Sequence, residues 1–243
     1  MSRKYECEDG WGDQYIPVEK RKKQLQEKLQ ELRDDGHDLA PVVVSGRTIA
    51  NTFWGKAWCD HIESYHDYEN RLPRGRSYLR TGAVVDLQIA PGMITALVQG
   101  SELYRVTIRI DQLDHDKWTT IKHSCAGKIG SLIDLIQGKL SPEIIEVFCH
   151  ADIGMFPASN EIKLICNCLD YADLCKHLAA VLYGVGARLD EHPELFFVLR
   201  GVDQRELFSP AATTALVGDA AMAELDTAGL GQMFGIELDT LDD

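Results

Sequence analysis

Between positions 166 and 177 the chain reads Cys-Asn-Cys-Leu-Asp-Tyr-Ala-Asp-Leu-Cys-Lys-His, which places four metal-donor side chains, Cys166, Cys168, Cys175 and His177, within twelve residues. A Cys-x-Cys pair at the end of a strand projects both sulfurs from one face, because strand side chains alternate with a period of two. Cys-x-His cannot do the same inside a regular helix, where residues two apart point roughly 200° from one another around the 3.6-residue turn. The second pair therefore belongs at a helix start, with Asp173 expected as the cap, Cys175 in the first turn and His177 where regular geometry begins. The positive end of the helix there favours the thiolate form of Cys175. Three thiolates and one imidazole fill a tetrahedral shell of the structural zinc type, with no open position for a hydrolytic water. One structural Zn2+ is the expected cofactor. A binding free energy of about 10 kcal/mol would make this strand–turn–helix unit depend on metal for folding.

The other cysteines do not form a second pattern of that strength. The chain has 7 Cys in all, an odd number that argues against a disulfide framework. Cys59, Cys125 and His61 have no partner at ligand spacing. Cys149-His150 offers either an adjacent donor pair or two buried helix residues. Met1-Ser-Arg-Lys-Tyr runs into Glu6, Glu8 and Asp9, which is not a secretory leader. No apolar run approaches the ~18 residues that cross a bilayer. A cytoplasmic protein with no membrane partner is expected.

Hydrophobic periodicity sets the rest of the fold. With 45% hydrophobic and 26% charged residues, the chain has the composition of a packed globular protein. Residues 17–36 carry Leu25, Leu29 and Leu32 at helical spacing, with Gly36 as the stop. The surface run Lys20–Lys23 reads as a solvated face or as a contact for a polyanion. Val42-Val43-Val44 reads as a short strand. Residues 49–65 read as a helix with Phe53, Trp54, Ala57, Trp58 and Ile62 in the core. Residues 77–110 switch to period two: Val85, Leu87 and Ile89, a turn at Pro91-Gly92, a strand over 93–99, then Tyr104, Val106, Ile108 and Ile110. That pattern predicts a three-stranded antiparallel meander with one buried face. Residues 112–150 read as helical, with a stripe of Ile129, Leu132, Ile133 and Ile136, and Ser141-Pro142-Glu143 starts a further helix. A turn-rich connection over 154–160 leads to a strand over 161–168 and a helix over about 174–189.

The metal motif resembles the SWIM-type zinc finger, whose signature is Cys-x-Cys, a variable spacer, then Cys-x-His. Its ligands fall on Cys166, Cys168, Cys175 and His177. Bacterial members often have Pro where this chain has Leu169 and Leu174. The likeness extends to Thr52-Phe-Trp-Gly-Lys-Ala-Trp58, to the run Arg71–Arg80 with Thr81-Gly-Ala, and to Leu199-Arg-Gly201, so that it spans roughly residues 40–208. It implies a zinc-binding accessory protein, often paired with a helicase-like ATPase of the Snf class, that binds DNA, RNA or protein.

Charge is unevenly placed. The formal net charge is −13, which by itself disfavours a nucleic-acid partner. Residues 1–110 hold 16 basic and 16 acidic side chains, whereas 111–243 hold 9 basic and 22 acidic. Within the neutral half, Arg71, Arg74, Arg76 and Arg80 occur with no acid among them. Pro73 and Gly75 suggest that they sit on a loop, with Tyr78 as a stacking group. Such a loop suits phosphate contacts, which position a protein without reading sequence. The alternative is that these arginines pair with the acidic half. Met233–Asp239 alternates apolar and acidic residues and reads as a docking peptide or a solvated tail.

These readings converge on an α+β fold, an antiparallel β-meander packed by helices and followed by a strand–turn–helix SWIM-type zinc module. The expected organisation is a helical extension (1–40), an α+β domain (41–153), the zinc module (154–208) and an acidic tail (209–243). The expected function is that of a non-enzymatic zinc-binding accessory protein. It would bind nucleic acid, a protein such as a Snf-class ATPase, or both, with no small-molecule substrate. A purely protein–protein adaptor and, third, a nuclease are the alternatives; no phosphate loop, triad or paired carboxylates stand out.

Overall fold

The computed structural model describes residues 18–65, 71–170 and 172–208. The helices are α1 (Val18–Asp34), α2 (Phe53–Glu63), α3 (Leu72–Arg80), α4 (His115–Cys125), α5 (Leu132–Ile136), α6 (Pro142–Cys149), α7 (Lys176–Glu191) and α8 (Glu194–Arg200). The strands are β1 (Val84–Ala90), β2 (Met93–Gln99), β3 (Leu103–Ile110) and β4 (Ile162–Cys166), in the sheet order β1-β2-β3-β4 with every pair antiparallel. The fold is α+β, as expected, and the strand that ends at Cys166, two residues before Cys168, is the fourth strand of the sheet. One hydrophobic core runs through both sides of the 153/154 boundary. Cys7, the Met233–Asp239 segment and the acidic tail lie outside the described residues, as do the side chains of Lys20, Arg21, Lys22 and Leu25.

The inner face of the sheet follows the alternation on β2 and β3. Ile94, Ala96 and Val98 face Ile108, Val106 and Tyr104 in register, and all but the half-buried Tyr104 are buried. On β1 the register slips between Val84 and Asp86. This bulge turns Val84 inward together with Leu87 and leaves Val85 only half-buried, where strict alternation had assigned Val85 to the core. Val42–Val44 is not a regular strand; Val42 N–H and Ala40 C=O bond to Val84 and Leu87 and so cover part of the β1 edge.

Helix α7 lies on this inner face and is the centre of the molecule, with twelve of its sixteen residues buried. Trp54 and Trp58 of α2 are fully buried, and each indole N–H donates to a backbone carbonyl at 2.8 Å, of Leu135 and of Leu182 respectively. Burial with the polar handle satisfied makes both core residues.

Two sequence expectations fail here for physical reasons. The Arg71–Arg80 run is helix α3, not a loop. Pro73 sits in the first turn, where its missing N–H costs nothing. Gly75 is there because α3 crosses α7 at close range: a Cβ on it would come within 2.7 Å of the Ala179 carbonyl carbon. The stripe over 129–136 is not one helix face either. α4 ends at Cys125, α5 has five residues, and Leu132 and Ile133 are exposed while Leu135 is buried. Past the core, Arg200 at the end of α8 is fully buried. It donates to Asp111 C=O at 2.7 Å and to Glu161 Oε2 at 3.0 Å, tying α8 to the end of β3 and the start of β4. Leu199 C=O meanwhile accepts from Gly92 N–H in the β1–β2 turn.

Because Gly75 has no room for a side chain against α7, Gly75→Val is expected to cost about 1–3 kcal/mol of stability. A urea midpoint equal to that of the parent protein would show that α3 and α7 can separate freely.

Candidate metal centre

The site is built where the sheet edge meets the start of α7. Cys166 ends β4 opposite Val106, on the inner face that also carries Leu164 and Ile162. One residue on, Asn167 extends the pairing beyond the strand: its N–H donates to Arg105 C=O, and its Oδ1 accepts from Arg105 N–H at 2.8 Å. Cys168 is thereby held close to Cys166. The loop then turns at Asp170, which accepts from Ala172 N–H and forms an ion pair with Arg71 at 3.2 Å. Leu174 plugs into the core at 2% exposure.

The start of α7 differs from the expectation in one respect. The cap is Cys175 itself, not Asp173, and its Sγ accepts from Leu178 N–H at 3.4 Å. A sulfur in the position of an N-cap oxygen accepts an otherwise orphan helix donor and sits at the positive end of the helix. His177 is then the second residue of α7, 2% exposed. Its Nδ1 lies 3.9 Å from both Cys166 Sγ and Cys175 Sγ. The Tyr104 ring stacks on the imidazole at 4.0 Å and 20°, and Tyr78 meets it edge-on at 5.6 Å. The far nitrogen, Nε2, is buried and has no hydrogen-bond partner, beside Gly100, where a Cβ would come within 3.3 Å of it. The ring is therefore held by aromatic packing, with Nδ1 aimed at the sulfurs.

Donor atoms of Cys166, Cys168, Cys175 and His177 all lie within 4.8 Å of one another. A tetrahedral shell with metal–sulfur bonds of about 2.3 Å sets its ligand atoms roughly 3.8 Å apart, so the four side chains fit one metal ion with little movement. Protonation without metal is uneven. The Cys175 thiol is pulled down to about 4, chiefly because it accepts a hydrogen bond from Cys166, with His177, Leu178 N–H and Cys168 adding to the effect. Cys166 is pushed up, first by donating to Cys175 and then by burial. Of this pair, Cys175 at the helix end is therefore the one that loses its proton more readily, and a metal would displace the thiol protons that remain.

The arginine run is largely engaged. Arg71 pairs with Asp170, Arg76 with Glu63 at 3.5 Å, and Arg80 donates to Arg47 C=O. Arg74 is exposed and has no side-chain partner among the described residues. Tyr78 is half-buried, one edge against His177 and its ring under Lys176 Nζ at 5.3 Å, so it is part of the metal-site packing rather than an open stacking platform. Tyr104, Gly100, Asn167 and Asp170 were not anticipated as parts of the site. Only the period-two pattern that turns Tyr104 to the same face as Val106 hinted at one of them. Cys149 and His150 make no metal cluster among the described residues. Nor are they two buried helix residues: both are exposed, Cys149 at the last position of α6 and His150 just past it.

No family model matches the chain, and no solved structure matches it. It is similar to the uncharacterized protein Rv2102 of Mycobacterium tuberculosis (strain ATCC 25618 / H37Rv), with 35% identity over 179 residues. That alignment covers 72% of this chain and 64% of the relative, so the chain spans a little under two thirds of the relative's length. No described helix is long and apolar enough to cross a membrane.

Tyr104 stacks on the His177 ring and is not itself one of the four donors. Tyr104→Ala is expected to weaken metal affinity by about tenfold, at the low end of the range for residues that orient a ligand. Competition against a chromophoric chelator measures it, and an unchanged affinity would mean that the helix alone sets the ring.

Proposed function

We propose that the chain is a non-enzymatic accessory protein of the SWIM-type zinc finger kind, in which Cys166, Cys168, Cys175 and His177 hold one structural Zn2+. The observation that carries this reading is the convergence of three thiols and one imidazole within 4.8 Å, at a buried strand–helix junction. Sulfur-rich tetrahedral donor sets suit zinc, and four protein ligands leave no coordination position for a substrate or an activated water. Zinc bound there would cross-link β4 to α7.

On this reading the surface around the zinc unit binds nucleic acid, a protein, or both, and a helicase-like ATPase of the Snf class is the proposed partner. Two observations bear on the choice. Arg74 is exposed and unpaired among the described residues and so is available to a phosphate. Leu169 and Ile165, beside the ligand loop, are 89% and 51% exposed, which favours a protein contact at the zinc unit itself.

Elemental analysis of the purified protein is expected to give about one zinc per chain. Cys168→Ser should lose the metal together with far-ultraviolet helix signal, since ligand loss removes folding free energy. Retention of both in that variant would overturn the assignment. Acid should release the metal, because Cys166 and Cys168 coordinate only as thiolates: affinity is expected to fall from pH 7.5 to pH 6, and a flat profile would argue against thiolate ligation.

A further inference from the structure

A second site lies away from the metal, in a cleft of about 330 Å³ between the 47–50 segment, α2, α3 and α7. Four cationic side chains from three parts of the chain line it: Arg47, Lys56, Arg76 and Arg80. Arg76 and Arg80 share a face because α3 is a helix and they are four residues apart. Lys56 comes from α2, and Arg47 from the segment before it.

Two acids, Asp60 and Glu63, also line the cleft, and Glu63 is already neutralised. It accepts from Tyr183 O–H at 2.7 Å and pairs with Arg76, whose guanidinium lies 5.4 Å from the Tyr183 ring centre. Arg80 uses one N–H on Arg47 C=O and keeps the rest of its fork. The side chains of Arg47 and Lys56 have no hydrogen bond or ion pair among the described residues. Setting aside the Arg76–Glu63 pair, three cations face one exposed carboxylate, Asp60. This surplus is local to the cleft, in a chain whose net charge is −13.

We infer that this cleft binds a phosphate group, with Arg47, Lys56 and Arg80 as the contacting side chains. Planar guanidiniums take phosphate oxygens two at a time, and a lysine adds a mobile point charge. The volume is near the lower limit for ligand pockets, which suits one phosphate and an attached sugar rather than a larger ligand. The phosphate can come from a nucleic-acid backbone or from a small phosphorylated molecule. Only the first source rests on the nucleic-acid reading above.

The test uses the whole 243-residue chain as purified and two probes, a labelled single-stranded 20-mer and inorganic phosphate. Arg47→Gln/Lys56→Gln is compared with Arg109→Gln/Lys163→Gln, which removes two exposed charges from the outer face of the sheet. Zinc content and circular dichroism confirm that both variants are folded. The cleft variant is expected to bind the 20-mer about tenfold more weakly at 50 mM salt and to lower the salt slope by about 1.4, at roughly 0.7 per phosphate contact. The sheet variant should change affinity less than twofold. Phosphate binding that the cleft variant abolishes, with no 20-mer binding by the parent, supports the site while removing the nucleic-acid reading. Parent binding of the 20-mer that both variants weaken equally, or that the cleft variant leaves intact, overturns the site. Absence of binding to either probe overturns it as well.

Discussion

Helix α7 is buried on nearly every side, with the sheet beneath it and α2 and α3 packed against it. Enclosure of its sides does not satisfy its start, where the first turn carries orphan N–H groups that need partners. Here the partner is the sulfur of Cys175, which is drawn at the same time toward Cys166 and His177. One atom therefore caps the central helix and belongs to the metal cluster. At its other end α7 is tied by Asp190, which accepts from Thr52 N–H at 2.9 Å, and by Arg188, which donates to Ala40 C=O at 3.0 Å.

The start of α7 also shows why part of the site was legible in the sequence and part was not. Cys-x-Cys and Cys-x-His are local patterns, and each could be placed on a strand end or a helix start from its period alone. Which residue caps the helix depends on where the chain after β4 rejoins the core at Leu174, so the choice between Asp173 and Cys175 has no local signature. Tyr104 illustrates the same limit, since alternation turned it inward but could not show that its neighbour there is an imidazole five elements further along the chain. Asn167 extends the β3–β4 pairing with a side chain, and such an extension leaves no trace in hydrophobic periodicity.

On the scaffold, the repeating patterns of β2 and β3 and of α2 held because each has one face against the core. The failures share a cause. Gly75 and Pro73 read as loop residues by propensity, yet close helix crossing calls for a glycine and a first turn tolerates a proline. At Val84, one extra residue in the ladder reversed which of two adjacent valines is buried. In each case tertiary packing overrode a local preference that was itself correctly read.

The arginines then take on a different meaning from the one their run suggested. As a loop, Arg71 to Arg80 would form one flexible basic patch; as a helix packed by Gly75, they point to separate environments. Arg71 braces the Cys168–Cys175 loop through Asp170 and, among the described residues, is the member of the run paired with the acidic half of the chain. Arg76 is drawn toward Glu63 and Tyr183, and Arg80 joins Arg47 and Lys56, residues from before the run. Net charge by region could not separate these roles, because charges act over a few ångströms here and the relevant neighbours are brought together by the fold. The basic feature of this protein is therefore better placed in the cleft beside α2 than along the run itself. None of the side chains that line this cleft belongs to the Cys3His cluster.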